Sequence, residues 1–235
     1  MSDGCPDNPW SRRPEPATPP VPARYHGVWQ RTLLQTPEGV DTRSWVRWLQ
    51  LGRWHADLRL PPDAGPPAPA QGFAGITQVQ TGVQGEICTW HRLVDVQPPG
   101  PHPDVGHMSF ESPQRIIETG VHGVYREVWE RLPDSTGLRI ALAEPAPADG
   151  RAPARLFVAG RYLMRVRPGP APQHPDFEIS FGVLAQGHWH IERSTQPALQ
   201  GRSLPLRLQR TGLEQAHVTL PDQPARPWRL LEWAD

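Results

Sequence analysis

The chain has 235 residues, among them 31 prolines and ten tryptophans, and its 24 basic residues balance 24 acidic ones. Proline in a helix interior costs roughly 3 kcal/mol or more, so helices must be few and short, while the tryptophans supply large areas for burial. Every basic residue is arginine, which excludes a Schiff-base lysine and a phosphate-loop lysine, and zero net charge gives no bulk electrostatic case for nucleic acid or an anionic membrane as partner.

Taken in chain order, residues 1–23 hold seven prolines and, Trp10 apart, almost no large apolar side chain. They predict a disordered leader. The first residues lack an apolar core of signal-peptide length, and no 18-residue apolar run predicts a membrane span. Cys5 and Cys88, one in the leader and one in a predicted strand, make no disulfide framework, so a cytoplasmic location is expected. Strand-like segments then follow at short intervals: 25–34, 41–51, 53–60, 73–80 and 83–96, and after them 105–111, 114–118, 124–132, 138–143, 155–166, 177–185, 188–194, 204–209, 217–220 and 228–233. They are rich in Trp, Val, Ile, Leu and Thr and are separated by Pro/Gly loops, the pattern of an antiparallel sandwich or barrel.

An internal repeat organises these segments. His26-Gly27-Val28-Trp29 matches His122-Gly123-Val124-Tyr125, Gly52-Arg53-Trp54 matches Gly160-Arg161-Tyr162, Phe73 matches Phe177, and Trp90-His91 matches Trp189-His190. The order is kept and the offset drifts little, as loop-length variation would produce. The expected fold is all-β, with two tandem calycin-like antiparallel β-barrels behind the proline-rich leader. The expected divisions are 1–23 for the leader, 24–104 for the first barrel and 105–235 for the second. Gly27-x-Trp29 resembles the opening of calycin-type barrels, in which the Trp closes one end and an Arg from a late strand packs on it. Arg92 is the expected partner.

Glu118-Thr119-Gly120 followed by Tyr125-Arg126-Glu127-Val128-Trp129 resembles a family of fungal proteins, Hri, named for interaction with a casein-kinase-type protein kinase. Phe73-Ala74-Gly75, Gly160-Arg161-Tyr162, Ile179-Ser180-Phe181-Gly182 and the closing Trp228-Arg229-Leu230-Leu231-Glu232-Trp233 are similar to the same family, in the same order. The segment between the Glu-Thr-Gly and Glu-x-Trp motifs is shorter here, and Tyr162 stands where the family has Trp. The resemblance implies two calycin-like barrels. It implies no catalytic residues and no cofactor.

Three constellations could carry chemistry. His188-x-His190-x-Glu192 places two imidazoles and a carboxylate on one strand face, a metal-like set whose plainer alternative is an exposed polar face. His55 and Asp57 share a face with Arg53 and Arg59. A carboxylate that orients a histidine is a common general-base arrangement, but the opposite face, Trp54, Ala56, Leu58 and Leu60, looks like the core and puts the polar set outside. Tyr125, Glu127 and Trp129 alternate on one face near Glu118. A glutamate between aromatics on an inward face needs a partner, for which Arg161 or Arg165 is expected. These residues and Trp189 form the expected ligand site, with Glu127, His55 and Asp57 as catalytic candidates.

The functional expectation is a cytoplasmic binding protein that holds a small, partly apolar ligand in a barrel. Two alternatives stand beside it: a protein–protein interaction module, and a small-molecule isomerase, hydratase or lyase using a barrel-lining Glu or His. No cofactor is expected. If one copy is specialised, the expectation falls on the second.

Overall fold

The computed structural model describes residues 18–62, 69–83, 85–98, 100–148 and 150–235. The expected disorder of the first 17 residues and Cys5 lie outside these. Among the described residues helix is confined to two 3-10 turns, Ala23–Tyr25 and Pro197–Leu199, as the proline content demands. Among the described residues no helix is long and apolar enough to cross a membrane.

The first sheet is made of β1 (Gly27–Thr36), β2 (Gly39–Asp41), β3 (Trp45–Gln50), β4 (Trp54–Leu60), β5 (Gln71–Gly82), β6 (Gly85–Asp95), β7 (Asp104–Ser112), β8 (Arg115–Gly120) and β9 (Arg126–Arg131). Each strand from β3 on pairs antiparallel with the next, and β9 returns to pair with β1. With β2 only a short flap on β1, this is a closed barrel of eight strands, wide enough to be filled by side chains or to hold one small ligand.

The second sheet follows with β10 (Arg139–Ala143), β11 (Arg155–Ala159), β12 (Tyr162–Arg167), β13 (Glu178–Ala185), β14 (His188–Ser194), β15 (Ser203–Pro205), β16 (Arg207–Arg210), β17 (Gln215–Leu220) and β18 (Gln223–Ala234). Here β18 pairs with β10, and the sheet's two ends, β15 and β16, are consecutive in the chain with only Leu206 between them. One segment thus pairs with β14 through its first half and with β17 through its second, which curls this sheet into a barrel as well.

Three expectations are corrected. The division does not fall at 104/105: strands over 104–131 belong to the first sheet, because they close it onto β1, and the chain passes to the second sheet between Arg131 and Arg139. The leader does not stay free to residue 23: Val21 and Tyr25 are buried in the first barrel's core, and the Val21 N–H donates to Gly52 O at 2.8 Å. The segment 155–166 is two strands, joined by a tight turn at Gly160 with φ +57°.

Two of the four repeat matches fall on structurally equivalent residues and a third only on equivalent strands, since the registers place Phe73 where the second barrel has Ser180 rather than Phe177. Gly52-Arg53-Trp54 and Gly160-Arg161-Tyr162 are the corresponding turns into β4 and β12. The strands opened at Phe73 and Phe177 are β5 and β13, and both carry a β-bulge, at Ala74/Gly75 and at Phe181/Gly182. A Cβ on either bulge glycine would lie 1.9 Å from the carbonyl oxygen of the strand opposite, so only glycine allows the approach. Trp90 pairs with Thr77 as Trp189 pairs with Leu184. The fourth match fails, since His122–Tyr125 lies in the loop between β8 and β9 of the first barrel.

The barrels share a core. On β4 the apolar face, Trp54, Ala56 and Leu58, does not look into its own barrel but packs with Ala74 and Ile76 against Phe157, Met164, Val166, Ile179 and Phe181 of the second. Alternation along a strand sends the other face inward, and that face is His55, Asp57 and Arg59.

A candidate site at the mouth of the first barrel

The interior of the first barrel has two zones. Toward one end, Trp29, Trp48, Trp90, Trp129, Phe73, Cys88, Met108 and Ile116 form a buried cluster, capped by Val21 and Tyr25. The Tyr25 hydroxyl donates to Glu86 at 2.8 Å, and its ring meets Phe110 edge-on at 4.9 Å. Arg131 lies over Trp29 at 4.6 Å. The arginine on the Gly-x-Trp tryptophan is therefore Arg131, from the closing strand, and not Arg92, whose guanidinium covers Phe73 at 3.7 Å.

The other end opens as a cavity of about 530 Å³, within the range of small-molecule sites. Leu34, Leu60, Pro61, Pro62 and Pro69 form its apolar rim, and Arg31, Arg59, Asp104, Glu118, Tyr125 and Glu127 its polar wall. Below it a narrow space among Trp48, Phe73, Trp90, Trp129 and Asp57 continues the same wall.

The charges in this wall are organised in pairs and bridges. Arg31 donates to Glu127 at 2.8 Å and to Asp41 at 3.1 Å. Arg59 donates to Asp57 at 2.7 Å. Arg92 donates to Asp95 at 2.8 Å and to Asp104 at 2.6 Å. Glu118 differs. Its carboxylate oxygens accept from the Tyr125 hydroxyl at 2.8 Å and the Trp129 indole at 3.0 Å, both neutral donors. Among the described residues no arginine forms an ion pair with it.

Burial, then the charges of Glu127 and Asp104, push the Glu118 carboxyl well above the usual carboxylate range. Burial raises Glu127 as well, and Arg59 and Arg31 oppose this. Glu118 and Glu127 are direct partners across β8 and β9. Two acids in adjacent register disfavour joint ionisation.

The family-like motif acquires a physical meaning here. Gly106, facing Gly120 across β7 and β8, leaves room for the Glu118 carboxylate, which a Cβ there would meet at 2.7 Å. Gly120 leaves room for Tyr125, whose ring a Cβ would meet at 2.6 Å. In Glu118-Thr119-Gly120 the first residue supplies the acid and the third admits the tyrosine that hydrogen-bonds it.

The expected site is brought together in part. Glu118, Tyr125, Glu127 and Trp129 converge on the first barrel. Arg165 and Trp189 lie in the second: Arg165 donates to both oxygens of Glu178, at 2.8 and 3.0 Å, and covers Trp189 at 5.1 Å. Arg161 is half-exposed in a turn, 3.9 Å from Asp134. The partner of Glu127 is Arg31, not Arg161 or Arg165, because residues 126–131 close the first barrel rather than entering the second.

His55 and Asp57 do share a face, but that face is inside, with His55 fully buried and Asp57 2% exposed. They do not form the expected pair. The His55 Nδ1 is 3.0 Å from Thr77 Oγ1, whose hydroxyl donates to Gln50 at 2.7 Å. His55 is therefore the Nδ1–H tautomer, and burial followed by the nearby Arg92 charge holds its pKa well below 6.5. His188, His190 and Glu192 are exposed on β14 while Trp189 and Ile191 between them are buried. Among the described residues no group of three metal-ligating side chains gathers, there or elsewhere.

Sequence reasoning missed Arg31, Arg59 as a site residue, and Asp104. A period-2 reading of β1 that put Trp29 inside would also have put Arg31 there.

Among the described residues the second barrel is packed with apolar side chains along its axis. Ile140, Leu142, Leu156, Val158, Leu163, Trp189, Ile191, Ala216, Val218 and Trp228 fill it. At its corresponding end a smaller cavity of about 320 Å³ is lined by Glu144, Arg151, Arg167, Asp222 and Arg226.

No protein-family model matches the chain, and no curated protein matches it. Among solved structures it is similar to the crystal structure of the uncharacterized protein YLR301w from Saccharomyces cerevisiae, with a TM-score of 0.64 at 14% identity, covering 89% of this chain and 99% of that one. At that identity the likeness shows a common fold over nearly the whole length of both.

Proposed function

We propose that this protein binds a small, partly apolar molecule in the mouth of its first barrel. The observation that carries this is the cavity of about 530 Å³, whose apolar rim leads down to buried, paired charges and a tryptophan-lined floor. Wells that combine apolar walls with a few convergent polar groups are where small ligands are held. Buried carboxyls with displaced pKa values, as at Glu118 and Glu127, cluster at functional sites.

The test is thermal-shift screening of a broad metabolite library, followed by native mass spectrometry of the hits. Compounds that raise the melting temperature of the wild-type protein should leave a 1:1 mass adduct. Both effects should vanish in Leu34→Trp, which fills the mouth. A library that gives neither a shift nor an adduct removes the proposal, and so do hits that Leu34→Trp leaves untouched.

A further inference from the structure

We infer that the ligand carries a protonated amine or a similar compact cation, and that Glu118 is the group that receives it. This rests on the proposed binding role of the same cavity and adds the chemical class of its occupant.

Charge accounting at the site carries the inference. The cations paired with carboxylates around the cavity are Arg31, Arg59 and Arg92. The acids that face them are Asp41, Asp57, Asp95, Asp104, Glu118 and Glu127. Of these, Arg31 and Arg59 line the cavity and the space below it together with Asp57, Asp104, Glu118 and Glu127, an excess of two carboxyl groups over arginines. Each arginine is already committed to carboxylates at hydrogen-bond distance, so the arginines have little left to offer an anionic ligand. Glu118 is the acid that meets only neutral donors, and it is buried, 5% exposed, in the wall of the cavity. Burial without an ion-pair partner disfavours the Glu118 carboxylate, and a cation entering the cavity would stabilise it.

The surroundings suit a cation in a second way. Cations inside this barrel lie on ring faces: Arg92 covers Phe73 at 3.7 Å, and Arg59 covers the same ring at 5.1 Å. Trp129, Trp90 and Trp48 line the narrow space that Glu118 also borders. Aromatic faces beside a carboxylate are a recurring receptor for ammonium groups. A ligand with an ammonium head at Glu118 and an apolar body toward Leu34, Leu60 and the rim prolines would satisfy both zones of the cavity.

The experiment uses the full chain and shape-matched probes that differ in charge: arylalkyl ammonium ions, the corresponding alcohols and the corresponding carboxylates, with phenyl and naphthyl bodies. Binding is read by calorimetry and by tryptophan fluorescence, since the Trp129 indole donates directly to Glu118. The ammonium member of each set should bind at least about tenfold more tightly than its alcohol and carboxylate counterparts. Glu118→Gln should abolish that preference. The wild-type charge series is decisive even if the variant misfolds. Carboxylates or alcohols that bind as well as the ammonium ions overturn the cation assignment and leave the binding pocket standing. Failure of every probe to bind overturns both.

Discussion

Gln50, His55 and Thr77 occupy one layer of the first barrel. At the equivalent positions of the second stand Val158, Leu163 and Leu184. The next layer is Trp48, Asp57 and Phe73 in the first and Leu156, Arg165 and Ser180 in the second. The backbone registers agree, down to the bulge glycines Gly75 and Gly182, yet the interiors differ: apart from the buried Arg165–Glu178 pair and the serines beside it, the second is apolar. Branched aliphatic side chains interdigitate and fill the second barrel, as close-packed interiors do. In the first, charged groups hold one another in fixed bridges and broad indoles stack around them, and the mouth stays open. The barrel architecture thus sets the positions of inward-facing side chains, and their polarity decides between a scaffold and a site.

The largest effect that would probe this contrast comes from the second barrel's buried ion pair. Arg165 and Glu178 are 1% and 3% exposed. Arg165→Met strands Glu178 without its main cation, and removing one partner of a buried pair typically costs about 3–5 kcal/mol. Urea denaturation should show a loss of that order, while the affinity of the folded variant for ammonium probes stays unchanged. A loss below about 1 kcal/mol, or a change in probe affinity, would break the division of labour between the barrels.

A smaller effect sharpens the account of the open barrel. Burial, reinforced by Glu127 and Asp104, raises the Glu118 carboxyl above its ordinary 4.5, with Arg59 and the Tyr125 hydroxyl opposing. The folded state therefore binds more protons than the unfolded state above pH 4.5. Stability from this group is fully present below that pH and is lost as pH rises toward the folded pKa. Glu127, Asp57 and Asp95 are shifted in the same direction, so the wild-type protein should lose stability through this window. Glu118→Gln should flatten part of that decline, measured as unfolding free energy against pH without ligand. An unchanged slope would show that Glu118 is ionised in the empty barrel.

The smallest effect is expected on the outer face of β14. Replacing His188, His190 and Glu192 by Ala together should change stability by no more than about 0.5 kcal/mol per site, as exposed positions usually do. It should leave probe binding untouched. Zinc-dependent stabilisation of the wild-type protein that the triple variant lacks would contradict the placement of these residues as a solvated face.

Much of this molecule was legible in the amino-acid sequence because local rules are sufficient for it. Proline content and short Trp- and Val-rich segments dictate strands, alternation assigns side chains to two faces, and recurrence of Gly-Arg followed by an aromatic residue, and of Trp-His, reveals two copies. The grouping of Glu118, Tyr125, Glu127 and Trp129 was legible too, since they lie within a dozen residues and share a hairpin. Other features depend on pairings that no local pattern encodes. Whether 104–131 closes the first sheet or opens the second is decided by β9 meeting β1, nearly a hundred residues away, and with it the partner of Glu127. Nor could the polar face of β4 be placed from sequence. A strand with one apolar and one polar face ordinarily turns the apolar face inward, but here a second barrel covers that face from outside, and His55, Asp57 and Arg59 are left to line the interior.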